Sequence, residues 1–305
     1  MVTKPHASDH PPLFDGDFLR QLERLAILSR KAISGRMQGE RRSTKRGQSV
    51  EFADFRPYSL GDDFRRIDWN AYARLERFFI KLFIEEEDTL VHLLLDTSAS
   101  MDWGIPNKHQ YSIRAAAALG YIALAGLDRV TVTALNANHT NHISELYFSP
   151  HRGKNQAHSL FSFLQDLKPG GTGSLAAQAL RYRAARPDPG PLVLISDLFD
   201  NTWKDGLHTL ASGKFEVTVL HLLAPEEVSP ELTGELKLVD IESQADVEIT
   251  ADYDLIARYK DGLRTWKEEI KHYCAARGIH YVPLETTLPL HELLFARLRQ
   301  QAVLK

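Results

Sequence analysis

Three separated stretches of this chain place oxygen-bearing side chains at spacings that can do chemistry. Asp96-Thr97-Ser98-Ala99-Ser100 alternates one carboxylate with two hydroxyls. In an extended loop, residues two apart point the same way, so Asp96, Ser98 and Ser100 can converge. Gly170-Gly171-Thr172-Gly173-Ser174 supplies a further hydroxyl, from Thr172 or from its neighbour Ser174, and Ser196-Asp197 supplies a second carboxylate. Asp96, Ser98, Ser100, Thr172 and Asp197 thus offer oxygen and neither nitrogen nor sulfur. Hard donors with two carboxylates suit Mg²⁺ or Mn²⁺, which favour octahedral geometry and usually retain waters. Alone, Asp96 to Ser100 reads equally well as a turn held by local side-chain hydrogen bonds. Agreement among three stretches favours the metal.

The elements that must position these residues follow from hydrophobic patterning. Thr89 to Asp96 is a nearly continuous apolar run of strand length, as expected of a strand covered on both faces. After it come a helix (Tyr111 to Leu127), strands (Val130 to Leu135, Ile143 to Phe148) and two helices (Gln156 to Leu167, Leu175 to Ala185). A strand (Leu192 to Ser196), a short helix (Trp203 to Ala211) and a strand (Phe215 to Leu222) continue the alternation. Two β-like pieces (Leu236 to Ile241, Asp246 to Ile249) precede a long helix (Tyr253 to Ala276), a strand (Ile279 to Leu284) and a last helix (Leu290 to Gln301). This pattern predicts an α/β, Rossmann-like, mainly parallel sheet flanked by helices. Function in such sheets sits beyond the carboxyl ends of the strands, where Asp96 and Asp197 fall.

The expected organisation is a flexible tail over residues 1–17, a helix and small β module over 18–88, and the α/β domain over 89–305, with an insertion near 224–252. The helix starts at Asp17 and carries Phe18, Leu22, Leu25, Leu28 and Ala32 on one stripe, ending near Gly35. In the β module, Arg56, Asp62, Asp63, Arg65, Asp68 and Arg74 alternate in charge and form a candidate structural ion-pair network, which would fix orientation more than stability.

Asp96, Ser98, Ser100, Thr172 and Asp197 match, in order and at strand ends, the metal-ion-dependent adhesion site of the von Willebrand factor A domain, which this chain resembles. The resemblance implies a docking point completed by a partner's carboxylate, not a catalytic centre. Upstream, Arg42-Ser43, Gly47, Glu51-Phe52, Asp54, Arg56-Pro57-Tyr58, Gly61-Asp62-Asp63, Arg65, Ile67-Asp68-Trp69 and Ala73-Arg74, leading to Lys81 and Glu87, resemble the signature of domain of unknown function family 58. That resemblance implies a partner or adaptor of a MoxR-type AAA+ ATPase or of its client. Many members of that family begin with two transmembrane helices, and no such span is expected in this sequence.

Composition narrows the field further. The 305 residues carry a net charge of -3, too small to imply a partner by itself. One cysteine, Cys274, excludes an intramolecular disulfide and a thiolate metal cluster. The longest charge-free apolar stretch, Ala115 to Leu127, is shorter than the ~20 residues of a membrane span, and the N-terminus has no apolar signal core. A cytoplasmic location is expected. A phosphatase built on Asp96 needs an acid two residues later, and Ser98 stands there. The glycine-rich stretch at 170–174 lacks the lysine of a phosphate-binding loop. His139 and His142 have no evident third ligand. Residues 18–46 hold nine basic groups against two acidic ones, a patch that could meet nucleic acid, yet residues 47–88 restore ten acidic against six basic. The expected function is divalent-cation-dependent protein binding without enzymatic activity. The alternatives are a Mg²⁺-dependent phosphoesterase or nucleic-acid binding through 18–46.

Overall fold

A computed structural model describes residues 11–28, 50–59, 64, 67–85, 89–135, 147–171, 173–186, 188–232, 234–239 and 246–305. The chain divides into two compact units, one formed by Met1–Ser29 with Thr89–Lys305 and the other by Arg30–Asp88.

The larger unit opens with helix α1 (Gly16–Leu22), whose first turn is closed by the Asp15 carboxylate accepting from Phe18 N at 2.7 Å. The expected helix to Gly35 is therefore short. Residues 23–28 leave helical geometry, Leu25 is buried, and Ile27 pairs with Leu304 near the C-terminus. The expected tail is also structured at its end: Phe14 is buried against Phe18 and Phe161, and Pro11 O accepts from Gln165 Nε2 at 2.8 Å. Burial of these apolar groups outweighs helical periodicity and moves the stretch from the β module to the larger unit.

The smaller unit pairs β1 (Val50–Pro57) antiparallel with β2 (Phe79–Glu85), and helix α2 (Trp69–Leu75) lies between them in sequence. The patterning did not predict α2. Its start is set by Asp68, a buried N-cap accepting from Asn70 N at 2.8 Å and Ala71 N at 3.1 Å.

In the larger unit the strands are β3 (Leu90–Asp96), β4 (Arg129–Leu135), β5 (Tyr147–Arg152), β6 (Gly190–Ser196), β7 (Phe215–Leu223) and, after a two-stranded ribbon of β8 (Gly234–Val239) and β9 (Asp246–Ala251), β10 (His280–Glu285). Six form one sheet in the order β10-β7-β6-β3-β4-β5, parallel except for β5. Alternate side chains feed two cores. Leu93, Leu95, Val193, Ile195, Leu220 and Leu222 face one, and Leu94, Leu192, Leu194, Val217 and Val219 face the other. Each fully buried Leu or Val contributes about 1.5–3 kcal/mol.

Helices α3 (Lys108–Ala125) and α4 (Ala157–Asp166) cover the first face. The second is covered by α5 (Leu175–Ala185), α6 (Trp203–Ala211) and, after the short α7 (Pro225–Val228), the end of α8 (Tyr253–Ala275). Helix α3 is buried almost all round, and the small side chains of Ala115 to Ala118, spread over one full turn, let neighbouring elements approach it on every side. A broken helical stretch at 290–300 completes the unit. No described helix is long and apolar enough to cross a membrane.

Chain order runs outward from β3 to β4 and β5, then returns to place β6 on the other side of β3. The crevice beyond the carboxyl ends of β3 and β6 is thus the topological switch point of the sheet.

Candidate functional site

Asp96 is the last residue of β3, and Asp197 directly follows β6, its neighbour in the sheet. Both are buried. Asp96 Oδ1 accepts from Ser98 N at 2.9 Å and Oδ2 from Ser196 Oγ at 2.6 Å. The hydroxyls of Ser98 and Ser100 lie 3.0 Å apart, so the alternation read in the sequence does bring them together. Thr97, pointing the other way, anchors the loop through Oγ1 on Leu135 O at 2.6 Å.

The glycine-rich stretch reaches this loop through its backbone. Gly170 N donates to Thr97 O at 2.7 Å, and Ala99 N donates to Gly171 O at 3.2 Å. Thr172 lies outside the described residues. Its rival, Ser174, is engaged as the N-cap of α5, with its hydroxyl 2.9 Å from Thr202 Oγ1 and 3.3 Å from Ala177 N.

Electrostatics set the chemistry of the crevice. Burial, and next the nearby Asp197 carboxylate, hold the Asp96 carboxyl above the usual carboxylate range against the donors on its oxygens. The fully buried Lys108, in the first turn of α3, donates from Nζ to Asp197 Oδ2 at 2.7 Å and to Glu227 Oε1 at 2.5 Å. Burial raises Glu227, and Lys108 opposes that rise. His221 bridges Asp197 O at 3.0 Å and Tyr281 Oη at 2.7 Å, and burial lowers its imidazole to about 4, so it stays neutral. Leu198, next to Asp197, holds φ 55, a left-handed conformation uncommon for a branched residue.

The rim is apolar. Trp103 is half exposed, as is Phe199, which stacks on Trp266 at 5.1 Å. The loop carrying Trp103 turns at Gly104, where φ is +86 and an added Cβ would lie 2.3 Å from Ala224 Cβ. Ile105 N donates to Glu226 Oε1 at 3.1 Å, tying this loop to α7.

Lys108, Glu227 and His221 were not singled out in the sequence. The detectable signal for Lys108 was a lysine opening a helix that is otherwise core; Glu227 stood in a proline-led turn right after a strand end. Of the candidate ion-pair network, Asp62, Asp63 and Arg65 lie outside the described residues. Arg56 and Arg74 are exposed, and Asp68 is the buried cap of α2. His139, His142 and most of the basic stretch 18–46 also lie outside the described residues.

Among the described residues no group of three or more His, Cys, Asp or Glu side chains is arranged to hold a metal ion. A cation in the crevice would rest on two carboxylates and hydroxyls, a donor set that fits Mg²⁺ or Mn²⁺ and not a softer ion.

The fold and crevice define an α/β protein with an acidic, oxygen-rich site at the switch point of a mainly parallel sheet. Residues 54–269 match the family described as "Protein of unknown function DUF58", and the chain belongs to that family. The uncharacterized protein Rv1480 of Mycobacterium tuberculosis (strain ATCC 25618 / H37Rv) is 26% identical over 263 residues, spanning 82% of this chain and 81% of its own. The uncharacterized protein Mb1516 of Mycobacterium bovis gives the same figures. Among solved structures, the conserved hypothetical protein BatB from Bacteroides thetaiotaomicron aligns with TM-score 0.40 and 14% identity over 70% of this chain and 98% of that one. A von Willebrand factor type A protein from Catenulispora acidiphila aligns with TM-score 0.39 and 13% identity over 73% and 43%.

Proposed function

We propose that the crevice is a divalent-cation-dependent docking site for another protein, and that the chain is an adaptor and not an enzyme. The observation that carries this reading is the pairing of two buried carboxylates, Asp96 and Asp197, at the ends of adjacent strands, with the Ser98 and Ser100 hydroxyls converging beside them. Asp96, Ser98, Ser100, Asp197 and Thr172 would hold Mg²⁺ or Mn²⁺. The ion, when bound, would supply a Lewis-acidic position for an acidic side chain of the partner. The chain's own residues orient the donors: Ser196 and the Ser98 amide fix Asp96, and Thr97 pins the loop to β4. Trp103 and Phe199 offer apolar surface beside the charge. The favoured partner is a MoxR-type AAA+ ATPase or its client, on the strength of the family resemblance, and a cytoplasmic setting fits that partner.

The test pairs Mn²⁺ calorimetry with capture of a purified MoxR-type ATPase, with and without chelator. Asp96→Ala is expected to abolish Mn²⁺ binding and chelator-sensitive capture while the circular dichroism spectrum is retained. Unchanged Mn²⁺ affinity in that variant refutes the site. Turnover of phosphoesters that Asp96→Asn removes would instead favour the phosphoesterase reading.

A further inference from the structure

Lys108 is a residue that the oxygen chemistry of the crevice does not call for. Its side chain is fully buried, with Nζ 2.7 Å from Asp197 Oδ2, 2.5 Å from Glu227 Oε1 and 5.3 Å from the centre of the Phe199 ring. It directly follows the N-cap Asn107, so it sits in the first turn of α3, where the helix dipole disfavours a cation. Burying an ammonium is also costly unless carboxylates compensate. Neither the helix nor the core gains from a lysine here. The carboxylates retain it.

Glu227 is held in place by contacts of its own. Its Oε2 accepts from Ala224 N at 2.8 Å, and its backbone oxygen accepts from Tyr259 Oη at 2.7 Å. An ammonium has three donors. With Glu227 fixed independently of Asp197, Lys108 retains an anchor if Asp197 is drawn to another cation.

We infer that Lys108 is an internal counter-cation that competes with a divalent ion for Asp197, with Glu227 as the acceptor that keeps the ammonium when the ion is bound. This inference rests on the cation site proposed above. Formally, Asp96, Asp197 and Glu227 stand against Lys108, leaving a deficit that one divalent ion neutralises. A site balanced in this way binds its ion more weakly than its carboxylates alone would, and discriminates against monovalent ions, which cannot supply the missing charge.

The experiment is Mn²⁺ titration calorimetry on the full chain, comparing the native protein with Lys108→Met, Lys108→Arg and the double variant Lys108→Met/Glu227→Gln. The double variant leaves one largely buried carboxylate fewer without a partner, and so keeps the test open if Lys108→Met does not fold. Loss of the ammonium is expected to tighten Mn²⁺ binding by about tenfold or more in Lys108→Met, and by less in the double variant, where the Glu227 charge is lost with it, because the cation beside Asp197 no longer repels the ion. Lys108→Arg, which keeps the charge, should stay within about twofold of the native protein. Affinity in the Met variants equal to or below that of a Mn²⁺-binding native protein overturns the competition and leaves the cation site standing. Absence of Mn²⁺ binding in every protein of the series overturns both. The expected affinity series alongside chelator-insensitive capture of the partner supports the competition and refutes only the docking function.

Discussion

Replacing Lys108 by Met in chelated buffer isolates what the ammonium does when no metal is present. Methionine keeps most of the aliphatic stem, so packing changes little. What is lost are two charge-assisted hydrogen bonds, to Asp197 at 2.7 Å and Glu227 at 2.5 Å, each worth about 1.5–3 kcal/mol. What remains are a buried carboxylate, Asp197, and a largely buried one, Glu227, with reduced compensation. Asp197 keeps the Phe199 amide at 3.3 Å, and Glu227 keeps the Ala224 amide at 2.8 Å. Breaking a buried pair in this way costs about 3–5 kcal/mol. For a unit of this size that lowers the melting temperature by roughly 10 °C. The loss should depend on pH with a definite sign. Burial already raises Glu227, and removing Lys108 removes the charge that opposes this rise. Protonation then relieves the penalty, so the deficit relative to the native protein is larger at about pH 8 than at about pH 5. Urea unfolding followed by tryptophan fluorescence at both pH values reads the difference. A deficit below about 1 kcal/mol at the higher pH would mean that the carboxylates reach water, and the burial argument would fail.

Two further outcomes test the scaffold. His92, buried beside Tyr182 and Phe215, has its imidazole lowered to about 4 by burial, against an unfolded value near 6.5. The native state therefore favours the neutral ring, and the stability present above pH 6.5 declines as pH falls toward 4, by about 3 kcal/mol in all. His92→Gln should flatten urea-derived stability across that window; an unchanged slope assigns it to other groups. Glycines should respond to methylation with opposite signs. Gly104→Ala, at φ +86 with Ala224 Cβ 2.3 Å from the new atom, should destabilise by about 1–3 kcal/mol, while Gly262→Ala, inside α8 with nothing within 4 Å, should stabilise by about 0.5–1 kcal/mol in thermal melts.

The sheet was legible because burial on both faces leaves a mark on every residue. Thr89 to Asp96 and Leu192 to Ser196 read as strands from their own composition, and the bounds predicted for the helices at 175–185 and 203–211 agree with those observed. Asp96 and Asp197 could be placed at strand ends for the same reason. What escaped notice depends on distant partners. Leu25 and Leu28 fit a helical stripe, but the adjacent Ile27 is claimed by Leu304, almost the whole chain away. Arginines surround Asp68 in sequence, and the cap that its carboxylate also makes went unread because the seven-residue helix is too short to show an amphipathic stripe. Lys108 and Glu227 are 119 residues apart, and they meet because the loops following β3 and β7 open on the same edge of the sheet.

The pairing of Ile27 with Leu304, reinforced by the backbone bonds between Ala26 and Lys305, makes residues 11–28 an integral seam of the larger unit. In sequence, residues 30–88 thus interrupt that unit, which resumes at Thr89, just ahead of β3. Cutting the chain ahead of β3 would therefore strip Phe14, Leu22 and Leu25 from the core and leave Leu304 without its neighbour.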